Sequence, residues 1–263
     1  MTDATTQQAA APEEPLLELK GVSKSFGAVR ALTDVDFEVG AGEVVALVGD
    51  NGAGKSTLVK VISGIYSPDE AAIWFDGQPV SIHGPGGAAR LGIATVYQDL
   101  ALCDNLDIVE NMFLGHERRT PVGVVTRSLD ETSMERRSNE LLETLAVTIP
   151  DLRSEVGTLS GGQRQQVAVA RSLLVEPKVV LLDEPTAALG VAQTAQVLAL
   201  IKRLRENGLG VMVISHNLAD VFEVADRIVV LRLGRVAGVY DAAKTNQNEI
   251  VAAITGARTE VAA

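Results

Sequence analysis

The sequence has few features that could cross-link the chain or anchor it in a membrane. Cys103 is its only cysteine, which excludes an intrachain disulfide and a metal site built from several cysteines. No apolar run approaches the roughly 20 residues that cross a bilayer, and the N-terminus lacks the basic start and the apolar stretch of a signal peptide. We therefore expect the protein to remain in the cytoplasm.

Aromatic residues and positive charge are also scarce. Aromatic residues make up 3% of the chain and hydrophobic residues 46%, so the core must consist of Val, Leu, Ile and Ala, as in parallel sheets covered by helices. The 34 acidic and 23 basic residues give a formal net charge of -11, which opposes binding to a nucleic-acid backbone or an anionic membrane surface. We expect an α/β fold and no nucleic-acid partner.

Two kinds of strand pattern divide the chain. Residues 16–39 alternate apolar and polar positions, and residues 73–75 and 80–82 flank a turn-rich connector at 76–79, which together predict an antiparallel β subdomain. Later runs are apolar throughout and alternate with helical stretches, as strands buried on both faces of a parallel sheet do. These runs lie at residues 44–48, 179–182, 211–214 and 228–231.

The remaining segments complete the predicted organisation. From about residue 100 to 158 the strand pattern disappears and polar helical sequence such as 128–146 replaces it, which predicts a helical subdomain inserted into the α/β core. Residues 1–15 lack an apolar period and predict a flexible N-terminal tail. We therefore expect one domain over residues 16–256, with a C-terminal tail at 257–263.

A glycine-rich segment carries the strongest local signal. It follows an apolar run, precedes a helical stretch and fits the P-loop pattern G-x-x-x-x-G-K-[ST]. The glycines let backbone N–H groups converge on phosphate oxygens, the lysine supplies a positive charge, and the following serine can hold Mg²⁺. The segment is common to kinases, GTPases, helicases and transport ATPases, and it predicts nucleotide binding by Gly49, Asp50, Asn51, Gly52, Ala53, Gly54, Lys55, Ser56 and Thr57.

Two adjacent carboxylates end the apolar run at 179–182. Ligands gather at the C-terminal ends of parallel strands, so Asp183 is placed to coordinate Mg²⁺ together with Ser56, as in a Walker B element. Glu184 could polarise the water that attacks a γ-phosphate, which is the positioning role that phosphoryl transfer requires. With the P-loop upstream, this interpretation is favoured over a solvated acidic strand end.

A third motif makes a family resemblance specific. Leu159-Ser160-Gly161-Gly162-Gln163 opens a helical stretch that continues to residue 175, with Ser160 as a natural N-cap. The LSGGQ sequence, followed by RQQVAVARSLL and then a Walker B strand, resembles the ABC ATPase family, and the resemblance covers residues 16 to about 256. It implies a P-loop NTPase fold of the ABC type.

The resemblance also assigns single residues. Gln98 stands at the Q-loop position, which implies contact with Mg²⁺ and the attacking water, and His216 stands at the position of the switch histidine. Phe26 aligns with the aromatic residue that stacks on adenine. Ser160, Gly161, Gly162 and Gln163 would contact the ATP of a second cassette.

The resemblance further implies partners. ATP would lie between the P-loop of one cassette and the LSGGQ segment of another, an identical copy or a paralogue. Closure of that pair would drive a membrane permease on the cytoplasmic face of the membrane, and a solute-binding protein would deliver the solute. Residues 97–100, 105–115 and 186–194 look like cassettes of monosaccharide importers of the ribose, xylose or fructose kind.

One departure from the family pattern keeps alternatives open. Gly190 stands where the family commonly has an aspartate that contacts the second subunit. A nucleotide-binding regulator that does not hydrolyse ATP is therefore one alternative. A soluble ABC ATPase that acts on ribosomes or DNA is another, although such relatives usually carry two fused cassettes or long coiled-coil insertions.

Overall fold

The structure, a computed structural model, describes residues 14–120, 128–149 and 151–257. Its strands are β1 (Leu17–Phe26), β2 (Val29–Val39), β3 (Val44–Val48), β4 (Glu70–Phe75), β5 (Gln78–Val80), β6 (Ile93–Val96), β7 (Val179–Asp183), β8 (Gly210–Ile214), β9 (Arg227–Arg232) and β10 (Arg235–Asp241). Its helices are α1 (Lys55–Ile62), α2 (Pro85–Leu91), α3 (Ile108–Phe113), α4 (Glu131–Thr144), α5 (Gly161–Ser172), α6 (Val191–Glu206), α7 (Leu218–Val224) and α8 (Gln247–Thr255).

The main sheet has six strands in the order β10-β9-β3-β8-β7-β6. Strands β9, β3, β8, β7 and β6 run parallel to one another. Only β10, which pairs with β9, is antiparallel. The predicted apolar runs are four of these strands. Strand β6 adds a fifth, whose short run is interrupted in the sequence by the polar residue Thr95.

Both faces of the main sheet are covered, which explains the unbroken apolar runs. All five residues of β3 are buried. Val45 and Leu47 pack on one face, in the cluster that contains α1, whereas Ala46 and Val48 pack on the other face with Val221 of α7 and residues of α8. Alternate residues of one strand thus enter different cores.

A second sheet of four antiparallel strands, in the order β2-β1-β4-β5, packs on the α1 side. The connector between β4 and β5 is shorter than the predicted segment 76–79. Asp76 and Gly77 alone make the turn, with φ of 54° and 70°, as tight hairpin turns require. Gln78 and Pro79 belong to β5, where they pair with Phe75 and Trp74.

Helix ends follow capping chemistry. The apolar side of α6 is buried, and the helix ends at Asn207 followed by Gly208 with φ of 83°, as predicted. Helix α5 begins after Ser160, and a short 3₁₀ turn at Leu173–Val175 follows it. The sheets and helices together confirm the predicted fold class.

Helices α3 and α4 occupy the segment where strand patterns are missing. Helix α4 begins at Glu131 rather than near residue 128, because the Asp130 carboxylate accepts a hydrogen bond from the Ser133 N–H and fixes the start there. Whether residues 100–158 form a subdomain of their own stays a prediction. Of the two predicted tails, only residues 14, 15 and 257 lie within the described residues.

Candidate nucleotide-binding site

The C-terminal ends of β3, β6, β7 and β8 meet at one edge of the main sheet. The P-loop, residues 49–57, follows β3, and Asp183 is the last residue of β7. Gln98 and His216 each lie two residues beyond the end of their strand, β6 and β8. Because these strands are parallel, the sheet brings together four segments that are far apart in sequence, at the edge where open sheets bind ligands.

Glycine is required at both ends of the P-loop. A Cβ atom on Gly49 would lie 2.2 Å from the carbonyl oxygen of Leu231, and one on Gly54 would lie 2.7 Å from that of Ala31. Gly54 has φ of 108° and is the N-cap of α1, without a side-chain cap. The first N–H groups of α1 therefore have no side-chain acceptor at this cap, which is the arrangement of a helix N-terminus that binds anions.

Lys55 is the charged centre of the loop. It is 9% exposed, and its Nζ donates to the carbonyl oxygens of Gly49 at 2.7 Å and Asp50 at 3.1 Å. The side chain thus folds back over the loop and holds its positive charge inside the curve. Ser56, the next residue, is exposed at the start of α1, and the N–H of Ala53 closes a turn on the carbonyl of Asp50 at 3.1 Å.

Asp183 carries an unfavourably placed charge. Burial and the neighbouring charge of Glu184 raise the pKa of its carboxyl above the ordinary value, whereas Lys55 and Lys60 act in the opposite direction. A cation at this strand end would relieve the unfavourable burial of the carboxylate. A carboxylate with such a pKa, within the influence of Lys55, therefore fits a divalent cation.

Glu184 and His216 are in direct contact. The Oε2 atom of Glu184 lies 2.8 Å from Nδ1 of His216, and the glutamate side chain is 16% exposed whereas the histidine is 74% exposed. The N–H of Glu184 donates to the carbonyl of Ile214 at 2.9 Å, which anchors this residue, with φ of 50°, between β7 and β8. The pair joins two segments that are 32 residues apart in sequence.

A second tether holds the turn that follows Glu184. The Thr186 hydroxyl donates to the carboxylate of Asp220 at 2.7 Å, and Asp220 is 8% exposed on α7. This contact fixes the Glu184 turn to the helix that follows His216. Neither Thr186 nor Asp220 is in a predicted site, because no sequence motif pairs them and only the fold brings them together.

Gln98 is exposed, and among the described residues its side chain forms no hydrogen bond. The two positions Leu100 and Ala101 beyond it have φ of 58° and 47°, which costs energy for residues other than glycine. Arg171 of α5 donates to the carbonyl of Ala101 at 2.7 Å. The segment after Gln98 is therefore strained and held by the helix that LSGGQ opens.

Phe26 ends β1 with 43% of its surface exposed. Its ring meets Tyr66 edge to face, with centroids 5.1 Å apart, and the Nζ atom of Lys24 lies 5.6 Å from its centroid. Tyr66 is a site neighbour that sequence reasoning missed, since it follows α1 and only the fold brings it to Phe26. The exposed ring can accept a planar base.

The LSGGQ segment, residues 159–163, caps α5. The N–H of Gln163 donates to Ser160 Oγ at 3.3 Å, and the N–H of Ser160 donates to Gln163 Oε1 at 3.0 Å, which is a capping box. A Cβ on Gly161 would lie 3.0 Å from Leu189, and one on Gly162 would lie 3.0 Å from Gln193. Within the described part of the chain, no hydrogen bond or salt bridge joins this segment to the P-loop.

Comparison with known families agrees with this geometry. The model of the family described as ABC transporter matches residues 32–187, which include the P-loop, the LSGGQ segment and the Asp183-Glu184 pair. The chain belongs to the ABC transporter family. As a member of this ABC family, it binds ATP.

Relatives of this ABC cassette are similar over most of its length. The fructose import ATP-binding protein FrcA of Rhizobium meliloti is 48% identical, with 94% of this chain and 96% of that protein covered. The xylose/arabinose import ATP-binding protein XylG of Sulfolobus acidocaldarius is 48% identical over 91% of this chain and 94% of that protein. A ribose import ATP-binding protein of Rubrobacter xylanophilus is 44% identical over 94% of this chain and 48% of its own length.

Solved ABC cassettes have the same fold. A nucleotide-free ATP-binding cassette from an ABC transporter superposes with a TM-score of 0.77 at 25% identity, over 92% of this chain and 95% of that one. A dimeric structure of a bacterial ABC transporter cassette gives a TM-score of 0.71 at 27% identity, over 86% and 98% of the two chains. Cassettes of this fold thus form dimers.

Two further observations bear on the surroundings of the cassette. No helix among residues 14–120, 128–149 and 151–257 is both long and apolar enough to span a membrane. The same residues contain no group of three or more His, Cys, Asp or Glu side chains that could hold a metal ion without other ligands.

Proposed function

We propose that this protein is the ATP-hydrolysing subunit of an ABC importer whose solute is a monosaccharide. The relatives named for fructose, xylose/arabinose and ribose import support this proposal. The observation that carries the enzymatic part is the 2.8 Å contact between Glu184 and His216 at the sheet edge that also presents the P-loop. The importer would add permease subunits in the membrane and a solute-binding protein, and it would hold this cassette on the cytoplasmic face.

The P-loop is proposed to bind the triphosphate of ATP. The main-chain N–H groups of residues 49–57 would surround the β- and γ-phosphates, and Lys55 would turn its ammonium group from two carbonyl oxygens toward phosphate oxygens. Phe26 would stack on adenine, with Tyr66 supporting the ring from its edge. These residues are all supplied by one chain.

Mg²⁺ is proposed to bind at the same edge. Ser56 would offer its hydroxyl, Asp183 its carboxylate, directly or through water, and Gln98 its amide oxygen, which are the oxygen ligands that Mg²⁺ prefers. The raised pKa of Asp183 supports this assignment, because a bound cation would compensate for the burial that disfavours the carboxylate. When bound, the cation would neutralise charge on the phosphates.

Glu184 is proposed to orient and polarise the attacking water. The carboxylate is held at one oxygen by His216, which leaves its other oxygen for that water. His216 would then lie beside the γ-phosphate, and Gln98 would complete the set of polar groups around the water. Phosphoryl transfer depends on such positioning more than on covalent participation by the protein.

A second cassette would complete the site. The LSGGQ segment presents the N-terminus of α5, whose positive dipole end suits a γ-phosphate, yet among the described residues no hydrogen bond joins it to the P-loop of its own chain. We therefore infer that Ser160, Gly161, Gly162 and Gln163 contact the nucleotide of another copy or of a paralogue. The solved cassette dimer supports such an arrangement.

Gly190 favours a second candidate, a cassette that binds ATP without hydrolysing it. Gly190 is the N-cap of α6, where its N–H donates to the side chain of Gln193 at 3.2 Å, and it offers no carboxylate to a partner. The intact contact between Glu184 and His216 argues for hydrolysis. Phosphate release by the cassette together with its permease would decide between the two.

The change Glu184→Gln tests the proposal directly. The amide keeps the shape and the hydrogen-bonding reach of the side chain but removes the carboxylate, so ATP binding should persist while hydrolysis falls by about 100-fold or more. The stalled ATP should then join two copies, and light scattering should report a shift from monomer to dimer with ATP and Mg²⁺.

The matched double variant adds Ser160→Arg. A bulky side chain at the start of α5 should block the phosphate and abolish the dimer, while ATP binding by each monomer is unchanged. Hydrolysis by Glu184→Gln at the wild-type rate would rule out Glu184 as the residue that activates water. A Glu184→Gln protein that stays monomeric at saturating ATP would contradict the homodimer and require a paralogue.

A further inference from the structure

A cavity of about 400 Å³ lies between α5, α6 and the residues that follow α4. Its volume is within the range of small-molecule sites, roughly 300–1,000 Å³. No residue of the P-loop lines it, and neither do Asp183, Glu184 or His216. The cavity is therefore distinct from the chain's own nucleotide edge, but Ser160 and Gln163, which we propose to contact the nucleotide of a second copy, line one end of it.

One face of α6 forms a polar wall of the cavity. Gln193, Gln196, Leu200 and Arg203 recur every three or four residues, so they lie one above the other along the helix. The wall begins in the first turn of α6 and ends near its last turn. It presents amide groups at one end and a guanidinium group at the other.

Gln166 of α5 faces the same cavity. It is only 8% exposed, and its amide forms no hydrogen bond with any of the described residues. A buried amide is normally paired, because it loses its hydrogen bonds to water on burial. The Gln166 amide atoms are not among the fully enclosed polar atoms that lack a partner in the described residues, so they face the open cavity, where a ligand can replace water.

The lining favours an anion. Within the described residues no Asp or Glu lines the cavity, in a chain whose net charge is -11. Arg203 contributes a guanidinium group, of which one N–H is bound to the carbonyl of Leu145, so other donors of the group remain for a ligand.

We propose that this cavity binds a small anionic polyol, a sugar phosphate. Arg203 would hold the phosphate, because guanidinium groups match the geometry of phosphate oxygens. The amides of Gln166 and Gln196 both donate and accept, as sugar hydroxyl groups do. No aromatic side chain of the described residues lines the cavity, so it offers no stacking surface for a nucleoside base.

Calorimetric titration of the full chain with three probes tests the ligand class. Ribose 5-phosphate should bind, and ribose and inorganic phosphate should each bind at least about tenfold more weakly, since each lacks one half of the contacts. Equal binding of ribose would overturn the role of the anion, and equal binding of inorganic phosphate would overturn the role of the polyol. No heat with ribose 5-phosphate at millimolar concentration would overturn the proposal.

Two pairs of variants locate the site. Arg203→Met should weaken binding of ribose 5-phosphate by about tenfold or more, the effect of a lost charge-assisted contact. Arg205→Met is its control, since Arg205 lies on the same helix, outside the cavity, and pairs with Asp226. Gln166→Met should also weaken binding, whereas Gln165→Met, at an equally buried position that does not line the cavity, should not.

The remaining variants separate this site from the P-loop and from effects on folding. If Arg203→Met fails to fold, Gln196→Met replaces it, because the Gln196 side chain forms no hydrogen bond with the described residues. Lys55→Ala should leave ribose 5-phosphate binding unchanged. Loss of binding in Lys55→Ala would show that the probe occupies the P-loop and would overturn the proposal. The binding test stands whether or not the cassette drives sugar import.

Discussion

The helices α1 and α5 both begin at glycine-rich segments, but their N-termini differ in how they are capped. Helix α1 starts at Gly54, which has no side chain to cap it, and Lys55 folds back over the loop. Helix α5 starts at Ser160, whose hydroxyl and the Gln163 amide satisfy one N–H each. The first N-terminus is ready to receive an anion, whereas the second must exchange its own hydrogen bonds for those of a ligand.

This difference separates ATP binding, which one chain can perform, from dimerisation, which requires two. The α1 side of the cassette has its cation, its open N–H groups and its carboxylates on one sheet edge. The α5 side offers a capped helix, and among the described residues no hydrogen bond joins its LSGGQ segment to the P-loop. Variants on the α1 side should therefore alter ATP binding by the monomer, and variants at the start of α5 should alter only dimerisation and local stability.

The largest effect is expected for Lys55→Ala. Removing the buried ammonium leaves the phosphates without their charge partner, so ATP affinity should fall by about 100-fold or more, as when one partner of a buried charged pair is truncated. Calorimetry on the monomer measures this directly. The control Lys178→Ala removes a lysine just before β7, which pairs with Asp76 far from the P-loop, and it should leave the affinity unchanged.

Asp183→Asn tests whether burial makes the charge of the Asp183 carboxylate unfavourable on the α1 side. The raised pKa means that the folded state binds the proton more tightly than the unfolded chain does, so stability is lost as pH rises through that pKa. At pH 7 and without nucleotide, the neutral amide of the Asp183→Asn variant should raise the melting temperature relative to wild type. The difference should shrink as the pH falls through the raised pKa and vanish below about 4, the ordinary range of aspartate.

Asp69→Asn is the matched control, because the pKa of Asp69 is shifted in the opposite direction to that of Asp183. Lys24 and the N–H of Ser25 lower the pKa of Asp69, so its neutralisation should give no stabilisation at pH 7. A melting temperature of Asp183→Asn below that of wild type across the pH range would contradict the burial of an unfavourable charge.

Phe26→Ala should weaken ATP binding by about fivefold, because only base stacking, on the order of 1 kcal/mol, is lost. Tyr66→Ala should have a smaller effect in the same direction, since Tyr66 meets the Phe26 ring by its edge. Calorimetry with ATP measures both changes. An unchanged affinity in Phe26→Ala would place the adenine elsewhere.

The smallest effect is expected for Ser160→Ala. Loss of the cap should lower the free energy of unfolding by about 1 kcal/mol, measured by urea denaturation, without a change in the ATP affinity of the monomer. Thr158→Ala is a control at a neighbouring hydroxyl, which bonds only to the carbonyl of Glu155 among the described residues and does not cap α5. A drop in monomer ATP affinity in Ser160→Ala would contradict the assignment of monomer ATP binding to the α1 side alone.

Local chemistry made much of this molecule predictable. The P-loop, the Asp183 strand end and the Ser160 cap each depend on a few consecutive residues, and the apolar runs revealed the buried strands. What could not be predicted depends on tertiary contact. The apolar run of strand β6 is interrupted by Thr95, and its pairing with β7 is a tertiary contact. Tyr66 reaches Phe26 only through the packing of α1, and Thr186 meets Asp220 across 34 residues of sequence.

Helix α5 contacts the segment after Gln98 at two points, which couples the positions of the two. Arg171 holds the carbonyl of Ala101, and Arg164, about two turns earlier on the helix, lies 3.5 Å from Asp104. Helix α5, which contacts this segment at two points, cannot rotate independently of it. We therefore expect a shift of that segment to pull on α5 at both contacts and to move Ser160 at the start of the helix.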